Sequence, residues 1–110
     1  MHKKPLISVI TVCYNSAEML QRTIKSLRMQ TYKEIEYIVI DGASKDNTLQ
    51  VIKENQDIIN LWISEPDNGL YFAMNKGLEL ASGDYLIYIN AGDMFYMPDT
   101  LEKVFANHQD

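Results

Sequence analysis

The stretch Ile7-Ser8-Val9-Ile10-Thr11-Val12-Cys13 decides the fold. It is short, rich in β-branched residues and nearly continuous in its hydrophobicity, the pattern of a strand covered on both faces in a parallel sheet. After Tyr14 and Asn15 the period changes. Leu20, Ile24 and Leu27 recur at helical spacing, and the helix is expected to run to about Gln30, with Asn15 as its cap and Glu18 completing a capping-box-like pair.

The alternation then repeats along the chain. Ile35 to Ile40 is a second apolar run, closed by Asp41-Gly42-Ala43-Ser44, and the polar residues there open a helix containing Leu49, Val51 and Ile52. Leu61 to Ser64 reads as a third strand. The segment Glu65-Pro66-Asp67-Asn68-Gly69 must be a loop, because Pro and Gly break both regular patterns. Leu70 to Leu80 is helical, and Gly83 is placed to end that helix in the left-handed conformation. Tyr85 to Ile89 supplies a fourth strand leading into Asn90-Ala91-Gly92-Asp93, and Asp99 and Glu102 are expected to cap a last helix. Strands alternating with helices imply an α/β fold with right-handed crossovers, a parallel or mostly parallel sheet, and helices on both faces. No internal repeat, low-complexity tract or linker divides the sequence. Its 110 residues, 46% of them hydrophobic, suit a single domain over 1–110.

Composition removes several functions. A net charge of −5 argues against nucleic acid as a partner, since phosphate-backbone binding needs clustered Lys and Arg. A phosphate-bearing ligand remains compatible if a divalent cation stands between it and the carboxylates. The two histidines, His2 and His108, lie near the termini, so a His-rich zinc site or a Ser or Cys triad has no base. No glycine-rich turn follows the first strand and there is no GK[ST] segment, so a nucleotide would be held by side chains and metal. The lone Cys13 sits in an apolar run, fits a reducing, cytoplasmic compartment and reads as a structural thiol. Lys3 and Lys4 ahead of Leu6 imitate a secretory signal, but a convincing cleavage site is missing and a patterned helix follows. No apolar stretch is long enough to cross a bilayer, so membrane contact would be peripheral, at the inner face.

In an open parallel sheet, ligands bind beyond the carboxyl ends of the strands where strand order reverses. The polar residues gather there: Tyr14 and Asn15 after the first strand, Asp41 after the second, Asp67 beyond the third and Asp93 after the fourth. Each has a plainer use as well. Asp41 can open a turn with Gly42, and Asp67 can do the same before Asn68 and Gly69. Asp46 suits a helix cap, Tyr14 suits half-buried core, and Asn75 and Lys76 suit a solvated helix face. Taken together, the plain uses leave the shared position of these residues unexplained.

The segments ISVITVCYN (7–15), IEYIVIDGASKDNT (35–48), SEPDNGLYFAMNKG (64–77), ASGDY (81–85) and INAGDMF (89–95) resemble, in order and spacing, the N-terminal half of family-2 glycosyltransferases. The likeness spans nearly the whole chain. It implies a Rossmann-like GT-A fold, present as a partial domain, that binds a nucleotide-diphosphate sugar, a UDP-sugar or similar donor. Inverting transfer would then deliver the sugar to a glycan or lipid-linked acceptor. By the same resemblance Val12 and Tyr14 line the base pocket with Asn15 beside them, and Asp41 bonds the nucleobase or ribose. Asp67, Gly69, Asn75 and Lys76 stand near the sugar and phosphates, and Asp93 ligates Mg²⁺ or Mn²⁺. In place of the family's acidic DxD-like cluster this sequence has Asn90-Ala91-Gly92-Asp93, the NAGD variant. Phe72 stands where many relatives carry an acid. The family's general base comes after the metal motif, so it is expected beyond Asp110, with the chain a C-terminally truncated part of an enzyme and inactive alone. The alternative is a non-catalytic nucleotide-binding module that keeps the fold.

Overall fold

The computed structural model describes residues 4–95 and 97–105; His2 and His108 lie outside them. Its elements alternate as β1 (Ile7–Cys13), α1 (Ala17–Arg28), β2 (Ile35–Asp41), α2 (Thr48–Glu54), β3 (Leu61–Ser64), α3 (Leu70–Leu80), β4 (Tyr85–Tyr88) and α4 (Thr100–Phe105). The strands form one sheet in the order β3-β2-β1-β4, and all three pairings are parallel. β1 pairs along its whole length with β2, from Ile7 opposite Ile35 to Cys13 opposite Asp41. The chain steps outward from β1 to β2 to β3, then returns to lay β4 on the other side of β1. The order therefore reverses at β1, between β2 and β4.

Alternation along β1 and β2 divides the core. Ile7, Val9, Cys13, Tyr37 and Val39 face one side, where Leu20, Ile24 and Leu27 of α1, Ile52 of α2 and Leu101 of α4 cover them. Ile10, Ile38 and Ile40 face the other side and meet Ala73 of α3. A strand that must be apolar on both faces reads as a continuous run, which is why β1 and β2 are so plain in sequence. α3 lies so close that a Cβ on Gly77 would stand 2.5 Å from Cγ2 of Ile10; only glycine permits that approach.

Four local expectations are corrected. Asn15 does not cap α1: it has a φ of 46°, Ser16 holds the cap position, and no capping-box bond forms. The cap amide and the first amide of α1 turn instead to the start of α2 and the loop before it, Ser16 N to Thr48 Oγ1 at 2.9 Å and Ala17 N to Asp46 Oδ2 at 3.4 Å. α1 also stops at Arg28, short of Gln30, whose own amide bonds to Leu27 O. Gly83 is not a left-handed helix end. α3 ends in extended backbone at Ala81, and Gly83 is needed because a Cβ there would come within 2.8 Å of Leu6 O and Ser8 N. The start of α4 is served by Gln30, whose Oε1 accepts from Leu101 N at 3.0 Å, while Glu102 pairs with Lys4 and Asp99 with Lys103.

Candidate functional site

A cleft of about 530 Å³ opens at the carboxyl ends of β1 and β4, where the sheet changes direction. Val12 and Tyr14 line it from β1, Gly42 from the β2 loop, Asp67 and Gly69 from the β3–α3 loop, Leu70 and Ala73 from α3, and Asn90 and Ala91 from the turn after β4. Tyr14 is 56% exposed and belongs to the cleft wall, so it is not a core residue. A Cβ built on Gly42 would lie 3.2 Å from Asp67 Oδ2 and 3.4 Å from Tyr14 Cδ1. Glycine thus lets an aromatic ring and a carboxylate close on one spot. Asp67 also makes the expected Asx turn, accepting from Gly69 N at 3.1 Å.

Asp41 is fully buried and its carboxylate is engaged by the chain itself. Ser44 N (3.0 Å) and Ser64 Oγ (2.8 Å) donate to Oδ2, while the Ser44 hydroxyl and Cys13 Sγ (3.6 Å) donate to Oδ1. The carboxylate knots the ends of β1, β2 and β3 together and sets the path of Gly42. Burial, followed by the negative charge of Asp41, pushes the Cys13 thiol far above its ordinary range, so it remains a protonated, buried thiol. Asn15 ties the same loops: its N–H donates to Ser44 Oγ (2.7 Å) and its Oδ1 accepts from Lys45 N (2.8 Å). It is exposed and lies outside the cleft lining. Asp46 precedes the N-cap Asn47 of α2 and accepts from Thr48 N at 2.9 Å, its carboxyl held below the usual range first by the Thr48 hydroxyl.

Asn75 and Lys76 do not line the cleft. Lys76 pairs with Glu65 at 3.0 Å and reaches Pro66 O at 3.4 Å, bracing the loop that carries Asp67. Asp93 is exposed, and its carboxylate makes no hydrogen bond or ion pair among the described residues. Its backbone is held firmly. The buried Thr23 hydroxyl of α1 donates to Asp93 O (2.7 Å) and accepts from Gly92 N (2.9 Å), and Gly92 N also bonds Met19 O at 3.1 Å. Thr23 is a positioning residue that sequence reasoning missed. Its signal was a hydroxyl on the apolar stripe of Leu20, Ile24 and Leu27. Ser44 and Ser64, which hold Asp41, were missed as well, and so were Leu70 and Ala73 in the cleft wall.

Among the described residues no three His, Cys, Asp or Glu side chains cluster as a ready metal cage. A free, exposed carboxylate on a pinned turn still fits Mg²⁺ or Mn²⁺, hard cations that take one or two protein carboxylates and complete their shell with phosphate oxygens and water. The donor set is compatible with such an ion only when a ligand brings the remaining oxygens.

A parallel sheet with its cleft at the reversal point, walled by Tyr14 and edged by Asp67, has the architecture of an α/β domain of the GT-A type. The sequence model of Glycosyl transferase family 2 matches residues 8–110, and the chain belongs to that family. It is 44% identical over 104 residues to an uncharacterized glycosyltransferase of Mycobacterium tuberculosis, covering 94% of this chain and 40% of that protein. In fold it is similar to the mannosyltransferase of Pyrobaculum calidifontis in complex with GDP-Man and Mn²⁺. The TM-score is 0.81 at 26% identity, over 90% of this chain and 31% of the other. It is equally similar to S. aureus TarS 1-349 in complex with UDP-GlcNAc, with a TM-score of 0.81 at 27% identity, over 90% of this chain and 30% of that one. The chain thus spans well under half the length of these relatives.

Proposed function

We propose that this chain is the donor-binding part of an inverting glycosyltransferase that takes a nucleotide-diphosphate sugar, most suitably a UDP-sugar, together with Mg²⁺ or Mn²⁺. The observation that carries the reading is the cleft itself, with Tyr14, Gly42 and Asp67 converging at the point where strand order reverses. The GDP-Man and UDP-GlcNAc complexes of the structural relatives support a nucleotide sugar as the ligand class.

In this reading Val12 and the Tyr14 ring flank the base. Asp41 acts on the nucleoside through the loop it shapes, and its carboxylate reaches the ligand only by exchanging one of its present donors. Asp67 and Gly69 face the sugar side. Lys76 holds the Glu65–Gly69 loop in place through Glu65 and Pro66. Asp93 would hold the cation, which supplies charge neutralisation at the departing diphosphate. Acceptor recognition, of a glycan or lipid-linked substrate, and the carboxylate base that deprotonates its hydroxyl are assigned to the remainder of a longer protein.

Calorimetric titration with UDP and GDP, with and without Mn²⁺, tests this. The expected result is saturable binding that Mn²⁺ strengthens, with UDP ahead of GDP. A folded protein that binds neither nucleotide under either condition would contradict the proposal.

A further inference from the structure

A second concavity, of about 380 Å³, lies between the outer face of α1 and the segment after β4 and shares no residue with the donor cleft. The two lie on opposite sides of one turn: the cleft takes Asn90 and Ala91, and the groove takes Met94 and Phe95. Its wall is strapped in place. Gln30 Nε2 donates to Met97 O at 2.7 Å, Thr31 N to Pro98 O at 2.8 Å and Phe95 N to Ser26 Oγ at 3.3 Å.

The lining is unusual for open surface. Phe95 packs toward the core, and Met29, Met94 and Met97 are 57%, 60% and 46% exposed. Thioethers are flexible and adapt to irregular apolar ligands, and apolar side chains gathered at a groove mark a binding surface. Arg22 and Lys25 also line it. Lys4, Arg28, Lys76 and Lys103 are each matched with a carboxylate, whereas Arg22 and Lys25, like Lys33, Lys45 and Lys53 elsewhere on the surface, have no ion-pair partner among the described residues. Two unmatched cations beside an apolar trough, on a protein of net charge −5, complement a ligand with a hydrocarbon chain and an anionic head.

We infer that this groove binds an anionic phospholipid, its acyl chain against Met29, Met94, Phe95 and Met97 and its phosphate between Arg22 and Lys25. Occupation would hold the protein at an anionic membrane surface with the Asp93 turn beside the lipid headgroups. The inference stands independently of the donor reading, because the two sites have no residue in common.

The test is an NMR titration of the protein with monomeric dihexanoylphosphatidylglycerol, and with dihexanoylphosphatidylcholine, which has the same chains and no net charge. Saturable shifts confined to amides 22–29 and to those of Met94, Phe95 and Met97 are expected with the anionic lipid. Arg22→Gln with Lys25→Gln should weaken binding by roughly fivefold for each cation removed. Met29→Gln with Met94→Gln should weaken both lipids alike. UDP titration of each variant should be unchanged, which separates a failure here from a failure of the donor site. Equal affinity for the two lipids, shifts spread over the whole surface, or the same amides shifting with protein concentration alone, as for a second copy of the chain, would overturn the inference.

Discussion

Asp41 and Asp93 occupy equivalent places, each at or just after the carboxyl end of a strand that flanks β1 in the sheet, yet the chain treats them in opposite ways. Asp41 is wholly buried and four donors from Cys13, Ser44 and Ser64 fill its oxygens. Asp93 is exposed with an uncommitted carboxylate, while its backbone is fixed by Thr23. Buried carboxylates persist only where donors compensate their desolvation, and a ligand-binding carboxylate must be left available. The contrast teaches that position in the fold nominates a residue for the site. The donors already around it decide whether it builds the site or meets the ligand.

The largest expected effect tests the structural half of that contrast. Asp41→Ala strips the acceptor from two part-buried hydroxyls, one amide and the buried Cys13 thiol and should cost about 2–4 kcal/mol of stability, read by chemical denaturation. A loss under about 1 kcal/mol would show that Asp41 is not the knot of the three strand ends. Next comes the anchor of the other turn. Thr23→Val should cost about 1–2 kcal/mol and loosen the Gly92–Asp93 turn, while Thr23→Ser should restore it, as judged by hydrogen exchange at Gly92. Equal protection in the valine variant would remove Thr23 from the account.

A smaller effect concerns acid. Burial raises the Glu36 carboxyl, but the Ser82 amide and the Ser8 and Ser82 hydroxyls outweigh it and hold the group below its ordinary 4.5. A depressed folded-state value contributes stability that is complete above about pH 4.5 and is lost as pH falls through the folded value. Glu36→Gln should flatten that acid limb of the stability profile; an unchanged limb would contradict it. Least of all should Asp93→Ala disturb the fold, by under about 0.5 kcal/mol, since its side chain supports nothing among the described residues.

Much of the fold was legible because β1 and β2 must be apolar on both faces, which makes their runs continuous, and because α1 shows its buried stripe at helical spacing. The strand bounds of β3 and the extent of α3 followed from the loop Pro66 and Gly69 force between them. What sequence could not show were contacts made across distance. Gly83 resembles a helix end locally, and only its approach to Leu6 and Ser8 explains it. Asn15 resembles a cap, but α1 takes its amide partners from Asp46 and Thr48, about thirty positions on. At the site, the places of Tyr14, Asp67 and the Asn90–Asp93 turn were readable from strand ends. Whether Asp41 was turn or ligand depended on Ser64, 23 residues away, and the grip of Thr23 on Gly92 spans 69.

The most direct test of the central claim is calorimetric titration of UDP into the wild-type protein and Asp93→Ala, each with and without Mn²⁺, with thermal unfolding recorded on the same samples. The variant is expected to melt as the wild type does, keep the metal-free affinity and lose the increment that Mn²⁺ provides. Wild-type Mn²⁺-dependent affinity in Asp93→Ala would contradict it, and would leave the exposed carboxylate after β4 without the role proposed for it.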